Sequence, residues 1–492
     1  MGKASLKFIQ KNWIVITILL VGALFRLFRI DEYLTFLGDE GRDAIVVRNL
    51  IVKLDPILIG PGTSVGGMYL GPLYYYFMAP FMIMSRLSPV GPAVGVALLG
   101  VLTIYLVYLT SKEWFGQKAA VVASLFYAIS PTVIIYSRSS WNPNIMPFFA
   151  LLSIYSVWKV WKDKKYNYLI LAAVSFAFVL QSHYLGLLLA PTLFIVWLLS
   201  KVPLKTTLLS LLVFVTLMSP LAIFDLRHDF MNSKALYKFL TVRQETVSIR
   251  PWTAIPKTYP IFEQINASLL VAKQPIAWLV TLILVSWVVV YFLNKKFDVK
   301  KNMPFYILIS WLLFGLVGFG LYKQHIYDHY FGFLFPVPFI LLGSFVESRF
   351  KIKSKLLNIV IVGFLTILFV INLIFNPLRF NPNRQMQRSE SVAQKIVELS
   401  EGKEFNIAVV ADQNYEDGYQ YFMEKAKAKI IEIDALKPET VTNQLFVICE
   451  KPKEKCDPTH SSKAEVANFG WSKVENEWSV SGVTIYKLGH TK

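Results

Sequence analysis

The sequence predicts an all-α polytopic membrane protein of about eleven spanning helices, with a small soluble α/β domain at its C-terminus. Three observations predict it. The 492 residues are 55% hydrophobic and only 17% charged, with a mean hydropathy of +0.48. One aqueous core cannot hide that much apolar surface, so lipid must serve as solvent. Apolar runs near the length of about 20 residues that crosses hydrocarbon recur along residues 13–375. After Phe375 the pattern changes abruptly to mixed polar and apolar residues.

The runs lie near 13–30, 91–111, 119–137, 145–161, 167–181, 184–200, 206–224, 276–293, 303–322, 330–346 and 355–375. The net charge of +18 sits in short Lys and Arg clusters between these runs, a membrane-topology pattern and not a polyanion groove, so no nucleic-acid partner is expected. Lys3, Lys7 and Lys11 precede Trp13–Leu24 as in a secretory signal, but Arg26 and Arg29 follow in place of a small-residue cleavage site. The first run is therefore expected to be an uncleaved anchor.

Lys112 and Lys118, Lys159 to Lys165, Lys201 and Lys205, Lys295 to Lys301, and Arg349 to Lys355 fall on alternate linkers. The positive-inside rule places all of them, with the N-terminus, on the cytoplasmic side of the cell membrane. Residues 31–90, 138–144, 182–183, 225–275, 323–329 and the chain after 376 are then external. Residues 74–84 are apolar too, but as a twelfth span they would move later basic clusters outside, so an interfacial or re-entrant piece is expected.

The chain thus divides into a membrane domain, 1–376, and an extracytoplasmic domain, 377–492. In the latter, Phe405–Ala411, Leu445–Cys449 and Val483–Leu488 read as strands and Glu416–Ala428 as a helix. Cys449 and Cys456 lack zinc-site spacing and fit either a disulfide or two thiols.

Candidate chemistry concentrates in the external linkers. Gly38-Asp39-Glu40-Gly41-Arg42-Asp43-Ala44 opens a helical pattern with Ile45, Val46, Val47, Leu50, Ile51 and Leu54 apolar, which reads as an amphipathic helix on the membrane surface. Asp39 and Glu40 fall at its N-terminus, where the dipole favours ionised carboxylates, and Asp39, Arg42 and Asp43 share a face. Asp39 reads either as a helix cap or as a carboxylate held at headgroup depth. Residues 60–76 form a Gly-rich, Tyr-ended stretch, fit either for ligand approach or for a connector with an interfacial aromatic belt.

Arg138, Trp141, Asn142 and Asn144 suit a sugar or phosphate, although Asn142 before Pro143 equally suits a helix start. Lys323, His325, His329 and Tyr330 crowd one short linker that suits an anion. Arg227 and His228 read as phosphate ligands or as ordinary snorkelling residues, as do Arg26 and Arg29.

Taken in order, the Asp39-Glu40 pair with Arg42, Gly71-Pro72-Leu73-Tyr74-Tyr75, Trp114-Phe115-Gly116, Ser130-Pro131, Tyr136-Ser137-Arg138, and His329-Tyr330 before Pro336 and Pro338 resemble glycosyltransferase family 39. This is the GT-C group that includes protein O-mannosyltransferases and lipid A aminoarabinose transferases. The resemblance is strongest over 10–200 and absent from the C-terminal domain. It implies a polyprenyl-phosphate-linked sugar as donor substrate and inverting transfer on the outer face to a glycan, lipid or protein acceptor. By this resemblance Asp39 would be the general base with Glu40 beside it and Arg42 near the phosphate or acceptor; by their own residue types and positions Asp43, Tyr74, Arg138, Asn142, Asn144, Arg227, His228, Lys323, His325, His329 and Tyr330 are expected to line the substrates.

Two positions depart from the family. Leu70 stands where relatives carry a Lys, and Asn142 and Asn144 stand where they often carry an Asp. No resident cofactor or metal site is assigned, and a divalent ion is left open.

A flippase of lipid-linked sugars would show midplane ionisable residues or broken helices in matched halves. An external glycan polymerase or ligase would cluster polar residues in a large late loop, whereas Arg243, Glu245, Arg250 and Glu263 are scattered through 225–275. A non-catalytic scaffold displaying the C-terminal domain is the third alternative.

Overall fold

The computed structural model describes residues 3–64, 66–241, 246–294, 298–352 and 354–491. Arg243, Glu245 and part of the Lys295 to Lys301 cluster lie outside the described residues. Each predicted span is helical over most of its length. Lys3–Leu27, Val90–Trp114, Met146–Asp163, Tyr168–Ser182, Leu204–Arg227, Ala277–Asn294, Val299–Leu321 and Lys355–Ile374 are single helices. The others are broken: Gln117–Ile129 with Pro131–Tyr136, Tyr184–Leu189 with Ala190–Ser200, and Asp328–Leu334 with Pro336–Phe350.

Among the described residues, five helices are long and apolar enough to cross a membrane by length and composition alone. The last broken pair, bent by 55°, makes six when taken as one.

The break at Pro131 shows how the bundle handles an interrupted ladder. Proline has no N–H, so the carbonyl of Tyr127 loses its helical partner. The Arg26 guanidinium, fully buried, donates to Tyr127 O (3.3 Å) and Ala128 O (3.0 Å). Arg26 is therefore turned into the bundle and does not snorkel: its guanidinium supplies donors to these carbonyls, and they with Gly22 O solvate its buried charge.

Residues 225–275 are largely helical, through Met231–Thr241 and Ile255–Leu270. Ile261, Phe262, Ile265 and Leu269 of the second helix are buried in the bundle core. Pro256, Lys257, Pro260 and Glu263 hide it from a search for long apolar runs. Leu73–Met84 is a 12-residue helix, about 18 Å long, well short of a hydrocarbon core of about 30 Å.

In the C-terminal domain four strands form one sheet: β1 (Asn406–Val410), β2 (Leu445–Cys449), β3 (Ser472–Val480) and β4 (Val483–His490). Their order is β1-β2-β4-β3, with β1 and β2 parallel and the other pairs antiparallel. The buried strands β1 and β2 match the sequence expectation. β3 is a largely exposed edge carrying Lys473, Glu475 and Glu477, so its pattern shows little apolar signal. Cys449 and Cys456 form a disulfide.

The linkers sort to two ends of the bundle. Ser139 meets Thr35, Ser140 meets Tyr74, Asn142 meets Ser182, Tyr184 meets Tyr69, and Gln264 meets Ile326, all on the end that carries the C-terminal domain. Lys159 with Glu113 and Asp163, Lys164 with Ser200, and Lys118 with Glu347 meet at the other.

Candidate active site

The site is built on the helix Gly38–Lys53. The preceding residue, Leu37, has no side chain able to cap, and the Glu40 carboxylate instead accepts the Leu37 N–H at 3.0 Å. Glu40, not Asp39, is thus the carboxylate used in local capping. Asp39 lies one turn from Arg42 with its side chain 43% exposed, and Arg42 Nη1 donates to its Oδ1 at 2.8 Å.

Arg42 also binds Asp43 Oδ1 through Nη2 (2.9 Å) and Nε (3.2 Å), and Tyr75 OH donates to the same oxygen at 3.0 Å. Asp43 is fully buried, and its Oδ2 has no hydrogen-bond partner among the described residues. Burial pushes the Asp43 carboxyl up to about 6 against the opposing pull of Arg42 and Tyr75. Burial also pushes Glu40 up to about 7.

Both flanks of this helix are covered. Leu73–Met84 packs on one, bringing Tyr74 and Tyr75, and the C-terminal helix Asp417–Lys425 packs on the other. The amphipathic helix expected at a membrane surface is thus packed against protein on two flanks. Its polar face is an interface between domains, which is why Asp43 can be buried. Glu40 borders a water-sized cavity of about 10 Å³ with Phe36, Met78, Met82 and Ser140.

Among the described residues, the two arms of the Gly-rich stretch pair with each other. Gly60 N–H donates to Leu70 O and Leu70 N–H to Pro61 O. Gln181 accepts from Leu73 N–H, and Asn232 and Tyr184 both bind the Tyr69 carbonyl. A Cβ on Gly71 would stand 2.2 Å from Gln181 Oε1, so this close approach requires glycine.

The remaining sequence-predicted residues divide. Tyr74 is buried and hydrogen-bonded to Ser140 Oγ at 2.7 Å. Arg138 is 1% exposed and donates to the carbonyls of Phe25 (2.6 Å) and Phe28 (2.7 Å), terminating the first helix. Asn142 and Asn144 donate to the carbonyls of Ser182 and Ser139. Arg227 and His228 are exposed, with the His228 ring stacked on Phe224.

His329 and Tyr330 belong to a ring cluster: Trp141 lies 4.5 Å from His329, and His183 lies 5.1 Å from Tyr330. Burial pushes the His183 imidazole down to about 3, so it is neutral at physiological pH. Exposed His325 packs edge-on against Tyr327.

Lys323 lines a cleft of roughly 340 Å³ with Arg250, Lys257, Ser248 and Thr253. Tyr322 beside it approaches Tyr330 ring to ring at 6.3 Å, which links the cleft to the ring cluster. Tyr75, His183, Arg250 and Lys257 were missed by sequence reasoning. The density of cations between 250 and 257 could have flagged the last two, whereas nothing in three consecutive tyrosines marks the one that faces Asp43.

Among the described residues, no group of three or more His, Cys, Asp or Glu is placed to hold a metal.

Residues 70–224 match the family described as dolichyl-phosphate-mannose-protein mannosyltransferase. No curated protein matches the chain in sequence. In fold, the chain is similar to ArnT from Cupriavidus metallidurans bound to undecaprenyl phosphate, with a TM-score of 0.65 and 11% identity over 97% of this chain and 98% of that one. It is also similar to the oligosaccharyltransferase AglB from Archaeoglobus fulgidus, with a TM-score of 0.53 and 12% identity over 89% of this chain and 70% of that one. The arabinofuranosyltransferase AftD from Mycobacteria is similar at a TM-score of 0.50 and 12% identity, over 98% of this chain and 42% of that one. In fold and over the matching segment the chain is similar to membrane glycosyltransferases of the GT-C group, and among the described residues five of its helices are long and apolar enough to cross a membrane.

Proposed function

We propose that the protein transfers a sugar from a polyprenyl-phosphate donor to a hydroxyl-bearing glycan, lipid or protein acceptor on the outer face of the cell membrane, inverting the anomeric centre, with Asp39 as general base. The observation that carries this reading is the arrangement of Asp39: an exposed carboxylate at a helix N-terminus, oriented by an arginine that a buried carboxylate and Tyr75 hold in turn. Asp39 accepts the acceptor's proton, the acceptor oxygen bonds to the anomeric carbon, and the bond from that carbon to phosphate oxygen breaks with its electron pair leaving on the phosphate. Arg250, Lys257 and Lys323 supply the positive charge that holds a leaving phosphate, a role for which the family's cation is missing at Leu70.

The cytoplasmic placement of the basic end follows the positive-inside rule, and the Cys449–Cys456 disulfide fits an oxidising compartment for the C-terminal domain. Cysteines introduced at Thr63 and Gly402 should both react with an impermeant reagent in intact cells. Labelling at Gly402 only after permeabilisation would overturn the orientation.

The test of the base is Asp39→Asn, assayed for transfer from a labelled polyprenyl-phosphate sugar. Loss of the proton acceptor should lower turnover about a hundredfold to ten-thousandfold with little loss of stability. Transfer at the parental rate would end the assignment.

A further inference from the structure

The helix that carries Asp39 is capped only in part from within. Gly38 follows Leu37, whose aliphatic side chain accepts nothing, and the Glu40 carboxylate serves the Leu37 N–H and its own backbone N–H but not the Gly38 N–H. A helix start leaves N–H groups without internal partners, and an uncapped start frays. Here the partner of the Gly38 N–H is Asn414 Oδ1 of the C-terminal domain, at 2.9 Å and 376 residues away in sequence.

Asn414 is 4% exposed and fixed on both ends of its amide. Its Oδ1 also accepts the Tyr415 N–H at 2.9 Å, and its Nδ2 donates to Glu450 Oε1 at 2.5 Å. The same carboxylate accepts Tyr419 OH at 2.6 Å and pairs with Arg388 at 3.4 Å.

The strap begins before the helix and continues along it. Arg384 N–H donates to Glu32 O (2.9 Å), and Phe36 N–H donates to Gln385 Oε1 (3.1 Å). The Phe36 ring meets Tyr421 and Phe422 edge-on, and Arg48 pairs with Glu424 at 3.4 Å. Backbone touches backbone at two glycines. A Cβ on Gly41 would lie 2.3 Å from Gly418 N and 2.5 Å from Asp417 O, and one on Gly418 would lie 3.3 Å from Leu37 O.

We propose that the C-terminal domain completes the active site by capping the Asp39 helix in trans, with Asn414 as the positioning residue and Glu450 as its anchor. The inference rests on the reading of Asp39 as the base. A carboxylate at the second position of a helix moves with the first turn, so the domain sets where Asp39 stands relative to the bundle. A misplacement of about 1 Å at a reacting group can cost about a hundredfold in rate. A contact that served only to dock the domain would change stability and leave the rate per folded molecule alone.

The experiment measures transfer and donor KM on purified, folded full-length protein. Asn414→Ala should lower turnover about tenfold to a hundredfold with donor KM unmoved. The pair Asn414→Asp with Glu450→Gln keeps an oxygen for the Gly38 N–H and a hydrogen bond between the two side chains, and should restore turnover to within about threefold of the parent. Parental turnover per folded molecule in Asn414→Ala would overturn the proposal, as would failure of the paired exchange to restore a lost rate.

If Asn414→Ala does not fold, Gly418→Ala decides by the same criterion, since its Cβ displaces the Leu37 carbonyl by only a few tenths of an ångström. It should lower turnover with donor KM unmoved, and a parental rate overturns the proposal. Asp39→Asn is assayed beside them. An inactive Asp39→Asn with a fully active Asn414→Ala removes the trans cap alone, whereas an active Asp39→Asn removes the base on which it rests.

Discussion

On the carboxylate side of the site, Arg42, Asp43 and Tyr75 form a closed chain of contacts of 2.9 to 3.2 Å, sandwiched between Leu73–Met84 and the C-terminal domain. On the other side, Arg250, Lys257 and Lys323 stand around an open cleft, and all three are exposed. The difference follows the chemistry each side is assigned. A proton acceptor must be held to within fractions of an ångström, and buried, mutually bonded groups do that. A phosphate on a long lipid arrives and leaves, and exposed cations in high dielectric attract it without trapping it. The buried members of the closed side should therefore respond to single substitutions in rate and stability together, and the open side in donor affinity alone.

The largest effect is expected at Asp43. Asp43→Ala leaves the Arg42 guanidinium without its buried partner, and breaking a buried pair by removing one member costs about 3 to 5 kcal/mol. Thermal unfolding in detergent should show that loss together with nearly abolished transfer. A stable, active Asp43→Ala enzyme would mean that the closed chain is not needed.

Gly41→Ala should come next. Its Cβ would meet the backbone of Asp417 and Gly418, which has no rotamer to escape into, so about 1 to 3 kcal/mol of stability should be lost. Limited proteolysis should find the C-terminal domain more readily released. Unchanged protection would show that the interface gives way more easily than its geometry implies.

A pH dependence sharpens the same side. Burial holds Glu40 at about 7 and Asp43 at about 6, above the roughly 4 of an unfolded carboxylate. The folded state therefore binds these protons more tightly. The stability they contribute is full below the unfolded value and is lost as pH rises through about 6 to 7. Glu40→Gln removes one titrating group and should flatten that decline between pH 5 and 8. An equally steep decline in the variant would assign it elsewhere.

The smallest effect belongs to the open side. Lys257→Ala and Arg250→Ala should leave stability within about 0.5 kcal/mol, as surface changes usually do. Each should raise donor KM severalfold at low salt, with the difference shrinking as ionic strength rises. A fall in turnover with donor KM unchanged would place the leaving phosphate elsewhere.

Much of this was legible in the chain. The runs at 91–111 and 355–375 are unbroken because nothing in them competes with a helix, and both are single helices. The i, i+3, i+4 spacing of Asp39, Arg42 and Asp43 is enough to bring them together, since helical periodicity is local physics. The helix at Ile255–Leu270 was not legible, because two prolines and two charges interrupt an apolar face that only the bundle core reveals. Arg138 looked like a ligand because a short linker with Arg and Asn suits sugars, and only the fold shows the carbonyls of Phe25 and Phe28 waiting for it.

By itself the sequence determined the apolar helices of the membrane class and the carboxylate pair at a helix start, because hydrophobic run length and helical spacing are properties of neighbours along the chain. The tertiary structure alone decided that Asp43 is buried, that Tyr75 is the tyrosine that binds it, and that Asn414 completes the helix bearing Asp39. The last two are hydrogen bonds between distant segments. What selects the partner is which buried polar group would otherwise go unpaired, and burial exists only once the helix and the two domains have closed on one another.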